Sequence, residues 1–298
     1  MPSTTGKKIT LARPCDRWKW LGLLSSFLVL VTGTPAPARN YGSIHLIMGT
    51  PSSVSTDTSN PNDYLMLKRQ YALSYNNSKG TANWVSWQLN AAWMGSIDRC
   101  KSFAPDTSLP ANFIQALPRD YTNTGFSRGH LTRSLDRSAN EIDNCSTFLM
   151  TNIVPQTQEN NEGPWLDLEN LAKDLVRSGK ELYIIAGPYG EGGTGLKGFK
   201  TKIGNDKVTV PESLWKIVII LDKPGLRREG VTPETCTIAV NMPNQLGIRA
   251  KSYTDYLTTI DDLEQLTGFD FLSDVPQEIQ EVVEAKTNTQ LEGKWCWQ

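Results

Sequence analysis

Residues 164–187 set a helix and a buried strand one after the other, and no other stretch limits the fold as much. Leu168, Leu171, Ala172, Leu175 and Val176 recur at i, i+3, i+4, i+7 and i+8, one stripe of a helix with period 3.6. Pro164 falls in the first turn, where a missing N–H costs nothing, and Gly179 lies just past the end. The spacing predicts an amphipathic helix over 164–178. Glu181-Leu182-Tyr183-Ile184-Ile185-Ala186-Gly187 follows at once and reads as a buried strand. Such a strand needs covering layers, and the helix supplies one.

Further elements follow from periodicity. Residues 64–70 and 71–75 read as short strands, and 84–89 alternates like the returning strand of a hairpin. Asn76-Asn77-Ser78-Lys79-Gly80 has turn chemistry between them. Residues 214–221 and 237–240 are strands, and 253–266 and 276–285 are helical. A stretch rich in Ser, Thr, Asn, Pro and Gly, 39–63, reads as an extended arm over the surface. Residues 99–125 form a long irregular crossing, of the kind that carries function or is tethered. With no internal repeat and no dividing linker, the prediction is α+β: a central, mainly antiparallel sheet with helices on both faces, in one domain over 39–298, ending in a tail over 286–298.

The first residues differ from the rest. Lys7, Lys8, Arg13, Arg17 and Lys19 precede an apolar run over 21–31, then Thr34-Pro35-Ala36-Pro37-Ala38. Basic, apolar, then small is the order of a signal peptide, here 1–38, and the run is short for a membrane span. An uncleaved anchor is the alternative. Cleavage leaves a secreted or periplasmic protein with no stable membrane association. Without the five basic residues and one acid of 1–38, the 30 Lys and Arg become 25 and the 31 Asp and Glu become 30. A chain that holds nucleic acid by charge alone should be basic, so action on a polyanion requires a local patch and a metal ion. Of five cysteines, Cys15 lies in the leader, and Cys100, Cys145, Cys236 and Cys296 remain. An even set without a C-x-x-C pair speaks for two disulfides rather than zinc, with Cys100–Cys145 and Cys236–Cys296 the favoured pairing and buried free thiols the alternative.

The chain has two histidines. His45 sits in an apolar segment and reads as a packed residue. His130 lies in Ser127-Arg128-Gly129-His130-Leu131-Thr132-Arg133, and neutral imidazole can take a proton from water. Arg128, two residues back on a strand, points to the same side, and Gly129 between them suits a close backbone approach. Asn161, Trp165, Glu169 and Lys173 are spaced by four and share one face at the helix start. The Asn161 amide oxygen is a hard, neutral ligand of the kind Mg²⁺ accepts, and Glu169 could orient a water or Asn161 itself. A base, a hard cation and arginines make a plausible phosphodiester-cleaving set. The bland alternative is a solvated turn followed by a surface helix.

SRGHLTRSLDR, then FLMTNIVPQTQENNEGPWLDLEN, then ELYIIAGPYG resemble the DNA/RNA non-specific endonuclease family of the ββα-metal (His-metal finger) superfamily. YALSYNNSKGTANWVSWQLN and VPESLWKIVIILD extend the resemblance over about 43–284. It implies a ββα finger made by the His130 strand, a returning strand near 148–153, and the 164–178 helix. It also implies a secreted enzyme cutting DNA and RNA with little sequence preference and leaving 5′-phosphate and 3′-hydroxyl ends. His130 matches the general base and Asn161 the single protein ligand of Mg²⁺, with Mn²⁺ or another divalent cation as alternatives. Glu169 matches an acid that orients water, and Arg99 and Arg128 match phosphate-contacting and signature arginines with catalytic and substrate-binding roles. Asn152 matches a supporting residue. Partners are the DNA and RNA substrates, and a dedicated inhibitor protein is plausible.

Two positions depart from the family pattern. Ser127 stands where aspartate is usual, and Lys173 stands where arginine is frequent, keeping a charge for substrate but losing the bidentate fork. A small-nucleotide phosphodiesterase, or a catalytically impaired nucleic-acid-binding module, are the competing readings.

Overall fold

Alternation at 64–89 becomes three adjacent antiparallel strands, β1 (Tyr64–Leu67), β2 (Ala72–Asn76) and β3 (Thr81–Leu89), in a computed structural model that describes residues 42–287, 290–291 and 294–295. All of these belong to the unit Ala38–Gln298. Next come β4 (Ser127–His130) and β5 (Ile153–Gln156), which pair only with each other, and β6 (Glu181–Tyr189). Two small hairpins follow, β7 (Gly193–Gly195) with β8 (Gly198–Lys200) and β9 (Lys202–Ile203) with β10 (Val208–Thr209). The sheet then resumes with β11 (Ser213–Leu221), β12 (Cys236–Pro243) and β13 (Leu257–Thr258). Its order is β1-β2-β3-β6-β11-β12-β13, with every neighbouring pair antiparallel.

The helices are α1 (Glu141–Ser146), α2 (Gln158–Glu162), α3 (Pro164–Arg177), α4 (Ile260–Thr267) and α5 (Gln277–Val283). Strand alternation assigns each residue to a face. Leu182, Ile184 and Ala186 pack with Val85, Trp87, Val218 and Ile238 beneath Leu168, Ala172, Leu175 and Val176 of α3. Tyr183 and Ile185 turn the other way, to Trp84, Trp215 and Ile217, where Ile260 and Leu263 of α4 and Val283 of α5 cover them. The α+β layout with helices on both faces is thus present. Helix α3 ends as its sequence requires: Lys180 N donates to Leu175 O and Gly179 N to Val176 O, with Gly179 at φ +97°.

Four expectations need correction. The 39–63 arm is no surface strap, because its described part drives Leu46, Met48 and Val54 into the second core face. The returning strand begins at Ile153 rather than near 148, since Met150–Asn152 forms a 3₁₀ turn. The 253–266 helix is split into a 3₁₀ turn (Tyr253–Tyr256), β13, which pairs with β12, and α4. The stripe from Asn161 to Lys173 is not one helix face, because Gly163 (φ −108°, ψ −117°) separates α2 from α3. A Cβ at Gly163 would meet Glu159 O at 2.4 Å and Arg249 O at 2.8 Å, so only glycine makes this turn. Residues 1–38, Cys296 and the end of the tail lie outside the described residues, although Gln290–Leu291 pairs with Lys294–Trp295. Cys100 and Cys145 are bridged, with Cα atoms 5.1 Å apart. No helix among the described residues is long and apolar enough to cross a membrane.

Candidate active site

The β4–β5 pair, with α2 and α3 following, makes the ββα unit. His130 is opposite Ile153, and Gly129 opposite Val154. Gly129 is required: a Cβ there would lie 2.2 Å from Gln156 Oε1 and 2.7 Å from its Cβ. After His130 the chain turns, and buried Asn152 holds that turn. Its Oδ1 accepts from Thr132 N (2.9 Å), and its Nδ2 donates to Thr132 O (2.9 Å) and Thr147 O (2.8 Å). One amide thereby fixes the segment that follows the imidazole to the segment that carries Phe148.

His130 packs against two aromatic rings that also touch each other, Phe148 at 4.8 Å and edge-on and Phe103 at 5.4 Å, with 4.9 Å between the two phenylalanine centroids. Each ring carries an arginine on another side. The Arg99 guanidinium is 5.0 Å from the Phe148 centroid, and that of Arg128 is 5.4 Å from Phe103. Arg128 and His130 therefore do share a side of β4. Arg128 donates to Pro118 O (2.7 and 3.2 Å) and reaches Thr122 Oγ1. The Arg99 side chain has no hydrogen bond among the described residues. The disulfide fixes its neighbourhood: Cys100 N donates to Asn144 Oδ1 (2.8 Å), and Phe148 N donates to Cys145 O (3.0 Å).

The imidazole is 8% exposed, and its Nε2 is buried with no partner. Burial first, then the Arg99 guanidinium, push its pKa down to about 3, so the ring is neutral. Glu169 sits within the same field, where it opposes the burial-driven lowering of Arg99. Arg133 Nε lies 3.3 Å from Glu169 Oε2, and Lys216 Nζ 3.6 Å from Oε1. Lys216 rises from the middle of apolar β11 and also sits 3.8 Å from the centroid of Trp165. Behind it, Asp136 accepts from Trp87 Nε1 (3.0 Å), and burial followed by Glu169 raises its pKa to about 6.

Two adjacent asparagines have opposite fates. Asn160 is fully buried, its Nδ2 donating to Pro243 O (2.9 Å) and its Oδ1 accepting from Gln156 (2.7 Å). Asn161, half-buried on α2, has a side-chain amide with no hydrogen bond among the described residues. The open amide oxygen of Asn161, on the helix just before the one that brings Glu169 to the Arg133–Glu169–Lys216 cluster, is a hard, neutral donor that fits a divalent cation keeping most of its waters. Lys173 is not gathered into the cluster by any contact; it pairs with Asp174 at 3.4 Å. Ser127 is half-buried at the start of β4 and makes no side-chain hydrogen bond.

Sequence reasoning missed Arg133, Lys216, Phe103 and Phe148. Signals existed for two: Arg133 lies three residues after His130, and Lys216 interrupts an otherwise apolar strand.

A neutral buried histidine with guanidinium groups beside it thus stands on β4 of a ββα unit, and an amide with no hydrogen bond among the described residues lies on α2 of the same unit. The model of the DNA/RNA non-specific endonuclease family matches residues 49–278, and the chain belongs to that family; it is an endonuclease. A nuclease of Nostoc sp. is 49% identical over 246 residues, covering 83% of this chain and 86% of that protein. The human mitochondrial nuclease EXOG is 32% identical over 209 residues, 67% of this chain and 55% of EXOG. The solved EndoG of an EndoG/EndoGI complex shares the fold with a TM-score of 0.65 at 21% identity, covering 85% of this chain and 96% of that one. The family depends on a divalent metal ion.

Proposed function

We propose that the protein is a secreted, sugar-non-specific endonuclease that hydrolyses DNA and RNA to 5′-phosphate and 3′-hydroxyl ends, with His130 as general base and one Mg²⁺ held through Asn161. The observation that carries this reading is the neutral imidazole of His130 on the ββα unit, with the Arg99 guanidinium beside it. Arg99 and Arg128 would hold the phosphodiester by charge-assisted hydrogen bonds to its oxygens, contacts that carry no base information. The bound phosphate cancels the field of Arg99 at the imidazole. His130 then becomes a stronger base at the moment a proton must be taken. The imidazole accepts that proton from a water attacking phosphorus in line, the P–O3′ bond breaks, and the leaving 3′ oxygen is protonated from solvent. When bound at Asn161, the metal ion supplies positive charge that stabilises the phosphorane-like transition state and the leaving oxygen. Glu169, restrained by Arg133 and Lys216, would orient water near Asn161.

Export belongs to the same proposal and rests on the basic, apolar, small order of residues 1–38, with cleavage after Ala38 and a nuclease domain over 39–298. So does a protein inhibitor, for which the support is that the EndoG fold neighbour was solved bound to EndoGI. The test incubates purified protein with supercoiled plasmid and with ribosomal RNA, each with Mg²⁺ or EDTA. Degradation of both substrates with metal alone supports the proposal. Cleavage of neither by folded protein would sink it, and cleavage of small phosphodiesters alone would move the reading to a nucleotide phosphodiesterase.

A further inference from the structure

On the sheet face opposite α3, three carboxylates converge where α5 ends against the start of α4. Asp261 and Glu264 stand at i and i+3 on α4, and Glu284 caps the C-terminus of α5. One oxygen from each lies within 4.8 Å of the others. The backbone there is already satisfied, since Glu284 O accepts from Ile260 N (3.1 Å) and Asp261 N (3.2 Å). Acids at a helix start are ordinarily explained by the helix dipole, and that accounts for Asp261. It does not account for Glu284, which is only 5% exposed and whose Oε1 is buried with no hydrogen-bond partner.

Among the described residues no cation balances the group. Among the described residues no lysine, arginine or histidine is ion-paired with any of the three. Lys286, two residues on, donates instead to Pro233 O (2.6 Å), and the field of Arg228 falls on Asp274. Asp270 adds further negative charge beside Glu264 and Glu284. Burial first, then Glu264, Asp261 and Asp270, push the Glu284 carboxyl up to about 8, while the Leu272 N–H works the other way. A buried carboxylate among acids takes up either a proton or a metal ion.

We propose that Asp261, Glu264 and Glu284 form a Ca²⁺ site, separate from the nuclease centre, that locks the end of α5 to the start of α4. All-oxygen ligands select a hard cation. Three protein carboxylates exceed the one or two that Mg²⁺ usually takes, and Ca²⁺ with Ca–O distances of about 2.3–2.6 Å reaches ligands roughly 4.6–5.2 Å apart across the ion. Asp261 is exposed, which gives the ion an entry path and room for water ligands.

The test strips the protein of metal with a chelator and follows its thermal melting while CaCl₂ or MgCl₂ is added. Calcium should raise Tm saturably, by roughly 5–10 °C at a hundredfold excess over Kd, with magnesium giving less than half of this. Asn161→Ala should keep the calcium response, so a shift arising at the nuclease centre is told apart without any activity measurement. Glu284→Gln and Asp261→Asn should each lose it. Asp261 is exposed, so its variant reports even if Glu284→Gln fails to fold. The proposal is overturned if calcium does not move Tm, which would leave Glu284 simply protonated. It is equally overturned if either carboxamide variant keeps the full shift or Asn161→Ala abolishes it.

Discussion

The surroundings of His45 and His130 differ in one respect that burial and basicity do not reveal. Both rings are buried, 2% and 8% exposed, and burial followed by a nearby arginine pushes their pKa values to about 4 and about 3. At His45, Nε2 faces Arg69 O at 2.8 Å, and Nδ1 accepts from Gln88 N at 3.1 Å. Its neighbour Arg137 likewise spends its guanidinium on the carbonyls of Gln70, Gln88 and Asp136. At His130, among the described residues, the Nε2 has no partner and the side chain of its neighbour Arg99 makes no hydrogen bond. Asn160 and Asn161 repeat the contrast side by side. In the first region the fold has used up the polar capacity of its side chains; in the second it leaves that capacity unpaired. Unused hydrogen-bonding capacity, more than a perturbed pKa, separates the candidate site from the structural one.

The largest test of this contrast exchanges the two histidines' fates. His130→Ala should lower the cleavage rate by about 10²–10⁴-fold with little change in Tm, the size of a lost general base. His45→Ala should keep the per-molecule rate but cost about 1–3 kcal/mol of stability in denaturant titration, because Gln88 N loses its acceptor. A His45 variant as inactive as the His130 variant would dissolve the distinction. The asparagines come next. Asn161→Ala should raise the Mg²⁺ concentration for half-maximal activity by about 10–100-fold, by analogy with other losses at metal sites. Asn160→Ala should leave the Mg²⁺ dependence alone and lose about 1–3 kcal/mol, since Gln156 and Pro243 O go unpaired.

Among the cations, Arg99→Ala should lower kcat/KM by about 10–100-fold, corresponding to a charge-assisted bond of about 1.5–3 kcal/mol. Lys173→Ala, which breaks a contact with Asp174, should change it by no more than about threefold. The smallest effect concerns pH. Both histidines have folded-state pKa values below the unfolded value of 6.5, so the unfolded chain binds more protons between about 3 and 6.5. Their contribution is complete above pH 6.5 and is lost as pH falls towards 3–4. Tm measured across this window should drop less steeply for His45→Gln than for the parent. The acid limb of kcat/KM, which reports the free enzyme, should lie below pH 5 rather than near 6.5.

Much of the frame was legible because local signals agreed. The hairpin through 76–80, helix α3 between Pro164 and Gly179, and strands β6, β11 and β12 all combine periodicity with turn chemistry. The misreadings arose where a distant residue decides. Asn161 was read onto the α3 face because its spacing by four is regular; Arg249, far along the chain, dictates the break at Gly163. The 253–266 segment has helical composition, but β12 captures Leu257 and Thr258 as an edge strand. At the candidate site, the residue types and their order in the chain were readable, whereas the pairing of Glu169 with Arg133 and Lys216 needs three separate elements brought together.

Strands β3 and β6 are neighbours in the sheet, with Leu89 opposite Leu182, and everything between them is one excursion over residues 90–180. Arg99, Arg128, His130, Asn161 and Glu169 all ride on it. The candidate site is therefore a cassette whose two ends enter the scaffold side by side, bolted down from outside by Lys216 and by Asn244, which receives Thr157 N at 2.8 Å. Lengthening its irregular part, between Met94 and Leu117, shifts no strand register, and each doubling of a flexible loop adds only about 0.6 kcal/mol of closure entropy. The surroundings of His130 can thus be reshaped by insertion, in evolution or in the laboratory, while the sheet beneath stays unchanged.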